Sequence, residues 1–123
     1  MSELVQKLAK GDHKVIFRAF RDNPVEELKE RIDKYNYVHI KFTETRGGTE
    51  LGVRLDPELT DLSQADFDKG TGIVHLAGNL SLDYVKVRCV ADIDIATMEG
   101  KGHLEILEKE EEAEAEKAGA AND

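Results

Sequence analysis

The chain is poor in cysteine, short of positive charge, and free of long apolar runs. Its one cysteine, Cys89, can form no disulfide within the chain and no all-cysteine zinc site. A reducing compartment is the simplest setting, and a cytoplasmic location is expected. Lys and Arg number 17 against 26 Asp and Glu, a net charge of −9. Phosphate backbones and anionic membrane surfaces both select a basic footprint, so neither nucleic acid nor membrane is an expected partner. No apolar stretch approaches the ~20 residues that cross a bilayer. The opening Met1-Ser2-Glu3-Leu4 has no basic region followed by an apolar one, so no secretory signal is expected. What is present, 40% hydrophobic and 35% charged residues in a chain of 123, suits one small core under a heavily charged surface.

Motifs of catalysis and metal binding are also missing. The four histidines, His13, His39, His75 and His103, form no His-x-His, and none belongs to a His-Glu-x-x-His. His39, His75 and His103 fall on polar strand positions, where surface histidine is the ordinary outcome, so no metal is expected. Cys89 falls on an inward strand position, where a free cysteine acts as a small apolar filler. Asp66-Phe67-Asp68-Lys69-Gly70-Thr71-Gly72 has the look of a calcium loop, yet the glycine and glutamate positions that such a loop requires do not fit. An acidic turn leading into a strand is the plainer expectation. Gly47-Gly48 and Gly70-Thr71-Gly72 lack the lysine and the following helix of a phosphate cradle. No cofactor is expected.

The apolar periodicity organises the rest. Leu4, Val5 and Leu8 have helical spacing before Gly11. Residues 13–20 fit helix or strand, and their β-branched and aromatic content leans to strand. Asn23 as N-cap, Pro24 at the first helical position and Val25, Leu28, Ile32 and Tyr35 on one face predict an amphipathic helix over 24–35, stopped by Asn36. From Tyr37 the period falls to two. Val38, Ile40 and Phe42, then Leu51, Val53 and Leu55, predict a hairpin turning at Arg46-Gly47-Gly48.

Residues 57–72 form a long connection anchored by Leu59, Leu62 and Phe67. Val74, Leu76, Leu80 and Leu82 share one parity, and Val85 through Ile95 the other, so a turn or bulge is needed at Asp83-Tyr84. Ala77-Gly78-Asn79 is a second candidate turn, and Glu99-Gly100-Lys101-Gly102 is expected to turn the chain into a last strand carrying Leu104 and Ile106. The expected fold is α+β: a mostly antiparallel, curved sheet of about six strands with the 24–35 helix packed on its apolar face. Residues 1–107 form the domain. Residues 108–123 begin with a run whose six Glu and two Lys leave no apolar stripe to bury, and are expected to form an acidic, disordered tail.

With no catalytic constellation to build on, the expected function is that of a non-catalytic binding or accessory subunit, meeting a protein partner or a second copy of itself through a sheet edge or face. The outward face carries Lys41, Arg54, Lys86, Arg88, Asp92, Asp94, His103 and Glu105, a mixed-charge surface suited to a complementary partner. Lys86, Arg88, Asp92 and Asp94, on one strand, are the candidate contact residues. The alternative is a small-ligand binder or small enzyme with an apolar pocket between helix and sheet, lined by Val25, Leu28, Ile32, Phe42, Val87 and Cys89.

Overall fold

A computed structural model of the chain describes residues 2–109. A short helix α1, Glu3–Leu8, is followed by strand β1, His13–Phe17. Helix α2 runs Pro24–Glu30 and continues as a single π-turn over Arg31–Tyr35. The remaining strands are β2 Tyr37–Phe42, β3 Thr49–Leu55, β4 Ala65–Asp66, β5 Thr71–Leu82, β6 Val85–Asp94 and β7 Glu99–Lys109.

The local signals act as the residue chemistry requires. The Asn23 side chain accepts from the Glu26 amide, capping α2, and Asn36 ends the π-turn in the left-handed conformation that asparagine tolerates. The β2–β3 hairpin pairs Ile40 with Leu51 and Val38 with Val53, so both apolar sets face one side. Residues 13–17 are strand, as their composition suggested. The long connection is tied down by an isolated bridge, Asp61 to His75, and by the short strand β4 paired to β5. Leu62 and Phe67 pack against the core as anchors, while Leu59 stays exposed.

The sheet is antiparallel and dominates the fold, but it is not an open curved sheet roofed by one helix. Its strand order is β3-β2-β1-β7-β6-β5, and β3 pairs again with β5 through Arg54 to Asn79 and Leu55 to Gly78, closing a six-stranded barrel. The apolar parity therefore faces a closed interior. Val15, Val38, Phe42, Val74, Val87 and Ile93 are fully buried there. Leu28 and Ile32 of the α2 segment, and Val5 and Leu8 of α1, belong to the same buried cluster.

Two expected turns are strand instead. Residues 77–79 lie inside β5, and residues 99–102 inside β7; the chain turns earlier, over residues 95–98. The glycines that suggested turns serve close approach. A Cβ on Gly78 would overlap the Arg54 carbonyl where β3 closes on β5, and one on Gly100 would overlap the Asp92 carbonyl. The β7 strand also reaches Lys109, two residues into the segment expected as tail; residues 110–123 lie outside those described.

Antiparallel pairing throughout sorts the connections between two barrel ends. One end holds α1, the β2–β3 turn, the β5–β6 turn and the last residues of β7. The other holds α2, the 56–64 connection and the β6–β7 turn.

Candidate partner-docking surface

The α1 end of the barrel gathers features that the fold alone does not need. β5 and β6 pair without interruption from Ile73 with Asp94 to Leu82 with Val85, so Asp83 and Tyr84 form a two-residue turn. Such a turn matches the twist of a hairpin when both residues have positive φ, which is why Asn-Gly is favoured there. Here Asp83 has φ 49° and Tyr84 φ 64°. Aspartate tolerates this region; a tyrosine Cβ is crowded there at a cost on the order of 1 kcal/mol. The strained residue is also the most exposed large hydrophobic of the described chain, at 80%. The turn thus holds a rigid aromatic ring out in solvent on strained backbone.

The neighbouring strands extend the apolar surface. Val85 and Val87 are buried, opposite Leu82 and Leu80, which are half-buried against the core. The β6–β7 register shifts between Lys86 and Val87: Lys86 pairs with Glu108 and Val87 with Ile106. Leu107 is thereby the extra residue of a bulge, which re-aims a side chain and bends the strand. Ile106 and Leu107 are both exposed. Asn79, Leu80, Ser81, Lys86, Val87 and Leu107 line a shallow groove of about 250 Å³. Ser2, the N-cap of α1, donates its hydroxyl hydrogen to Asp83 Oδ2 at 2.6 Å. At this same end the β2–β3 turn presents exposed Arg46 and Gly47.

The other exposed ring cluster is already satisfied from within the chain. Phe20 lies between the guanidinium groups of Arg18 and Arg31, at 5.2 and 5.8 Å, and meets His39 edge-on at 5.3 Å. Arg31 also lies over Tyr35.

The candidate contact residues of β6 share one outward row, and each is engaged within the chain. Arg88 reaches Asn79 at 3.3 Å and Glu105 at 3.7 Å. Asp92 pairs with His75 at 2.7 Å, and Asp94 accepts from the Ala96 amide in the β6–β7 turn. Lys86 alone of the four adjoins the groove and the Tyr84 turn. Of the six residues of the alternative pocket, Leu28, Ile32, Phe42, Val87 and Cys89 are buried together in one core cluster, and Val25 packs against it while lining a cleft beside Phe67 and Lys69.

Burial pushes the Cys89 thiol up to about 12. The histidines remain apart: His75 on Asp92, His103 between Asp12 and Glu105, His39 between Phe20 and Tyr37. Asp66 accepts from the Lys69 amide, the turn chemistry its sequence implied. Asp61, beside His75, is held below the usual carboxylate range by the amide and hydroxyl of Ser63.

Tyr84, Leu107 and Ser2 were absent from the sequence-derived candidates. The parity change at Asp83-Tyr84 marked the turn, but positive φ at a tyrosine and a bulge opposite Lys86 leave no sequence signature.

Fold and surface together define a small closed antiparallel barrel domain with an exposed aromatic turn and a bulged apolar strand end. The chain belongs to the core binding factor beta subunit family, whose family model matches residues 1–123. It is thereby an accessory subunit that works through protein–protein contacts. No curated protein matches the chain. Among the described residues, no helix is long and apolar enough to cross a membrane.

Proposed function

We propose that this chain is the non-DNA-binding subunit of a heterodimer, docking on a Runt-domain protein through the α1 end of its barrel. Tyr84 is the anchor, with Leu107, Ile106 and the groove beside them as the apolar surround, and Lys86 and Arg46 as charged rim. Membership of the family supports the class of partner. The single observation that supports the surface is Tyr84, held 80% exposed on left-handed backbone. An aromatic side chain with few rotatable bonds buries a large area at small entropic cost, and such residues dominate interface energetics.

Binding by this route leaves the DNA contacts to the partner. An acidic subunit held beside DNA gains nothing from the phosphates, so its contribution runs through the partner's own equilibrium between DNA-competent and other conformations. The chemistry is differential binding: the accessory subunit favours whichever partner conformation fits its surface.

Sedimentation of the full chain with a recombinant Runt-domain protein tests this. A one-to-one complex is expected, with Tyr84→Ala weakening it by roughly 30-fold, the loss of an anchor worth about 2 kcal/mol. Association of the chain only with itself, or wild-type affinity in Tyr84→Ala, overturns the assignment.

A further inference from the structure

Ser2 stands at the N-terminus of α1, and its hydroxyl makes two hydrogen bonds of opposite sense. The oxygen accepts from the Val5 amide at 3.3 Å, capping the helix. The O–H donates to Asp83 Oδ2 at 2.6 Å, joining residues 81 positions apart. Asp83 is the first of the two left-handed residues of the docking turn. The last ladder pair, Leu82 with Val85, closes the turn from within the hairpin, and Ser2 adds a contact from outside it. The helix behind Ser2 is a firm post: Val5 and Leu8 are fully buried in the core. A hydrogen bond onto a carboxylate is stronger than one between neutral groups.

We propose that Ser2 is a positioning residue for partner docking: its hydrogen bond to Asp83 ties α1 to the β5–β6 turn and holds Tyr84 in its binding orientation. The proposal rests on Tyr84 being the anchor. Its physical basis is preorganisation, since a turn already fixed in the free protein loses less freedom on binding. It also gives α1 a role beyond filling the end of the barrel.

The two functions of the hydroxyl separate cleanly by substitution. Asp at position 2 keeps an acceptor for the Val5 amide and is a good N-cap, but has no donor and faces Asp83 with like charge. Asn keeps the acceptor, is an equally good cap, and supplies an N–H donor toward Asp83. The two side chains match in shape. Affinity for the Runt-domain protein and amide exchange of the free chain are measured for wild type, Ser2→Asp, Ser2→Asn and Tyr84→Ala.

Ser2→Asp is expected to bind about tenfold more weakly, the worth of one charge-assisted hydrogen bond, and Ser2→Asn within about twofold of wild type. In the free chain, the Asp83 and Tyr84 amides of Ser2→Asp exchange several-fold faster, while α1 amides are unchanged. Equal affinity and equal turn exchange in the two Ser2 variants overturns the positioning role while leaving Tyr84 as anchor. Faster exchange spread equally over α1 assigns the effect to capping and overturns it as well. Wild-type affinity in Tyr84→Ala removes the anchor, and the proposal with it.

Discussion

Both carboxylate oxygens of Glu27 accept from the backbone amide of Phe20, at 3.0 and 3.1 Å, so a side chain of α2 terminates the chain segment that leaves β1. The Arg21 amide adds a third hydrogen bond at 2.7 Å, and Arg31 lies at 3.4 Å. Glu27 itself is only 2% exposed. A buried carboxylate is tolerated because its acceptor sites are filled. Glu27→Ala is expected to destabilise the fold by about 2 kcal/mol, because two part-buried amides lose their charged acceptor and a buried side chain leaves a gap. Urea unfolding checks this.

The same site sets a pH dependence. Burial alone would raise the Glu27 pKa, but the Phe20 and Arg21 amides and the two guanidinium groups outweigh it and hold the carboxyl below 4.5. A pKa lowered by folding contributes stability that is fully present above the unfolded value and is lost as pH falls through the folded one. Glu27→Gln should therefore be less stable than wild type at neutral pH, with the gap closing in acid below 4.5. Urea midpoints across that range read the difference directly; a gap constant with pH would contradict it.

Tyr84 makes a trade that a substitution can reverse. Tyr84→Gly relieves the positive φ of 64°, and is expected to leave stability unchanged or raise it by up to about 1 kcal/mol. Affinity for the Runt-domain protein should fall at the same time. Thermal unfolding beside a binding titration separates the two effects.

Gly100 is required by space. A Cβ there overlaps the Asp92 carbonyl on the neighbouring strand. Gly100→Ala is expected to cost at least about 2 kcal/mol, in the range of an overpacked core site, measured by the denaturation midpoint.

Cys89, buried with its thiol pushed up to about 12, should resist alkylation in the folded protein and react only at the rate of unfolding. Labelling at wild-type rate in Glu27→Ala would contradict the link between access and stability.

Much of the architecture was readable because the apolar residues keep strict phase. Val38, Ile40 and Phe42 against Leu51, Val53 and Leu55 fix a hairpin wherever its apolar side is buried. Closure was not readable. It depends on two registers between β3 and β5, and on glycines whose role is to admit a neighbouring strand. In sequence those glycines resemble turns, which is how 77–79 and 99–102 came to be expected as such. Glu27 stands in the first turn of α2, where an acid is favoured by the helix dipole; its burial depends on where β1 ends. The surface proposed for docking draws on residues of both kinds. Lys86 lay among the β6 candidates, but Tyr84 and Leu107 are defined by backbone conformation and a bulge, which residue identity does not carry.

The most direct test of the docking surface is an amide chemical-shift footprint of the isotope-labelled chain titrated with the Runt-domain protein. The account predicts the largest changes at residues 79–87, at 106–107 and at Ser2, all at one end of the barrel. Changes centred instead on Arg18, Phe20 and His39, or no change at saturating partner, would contradict it.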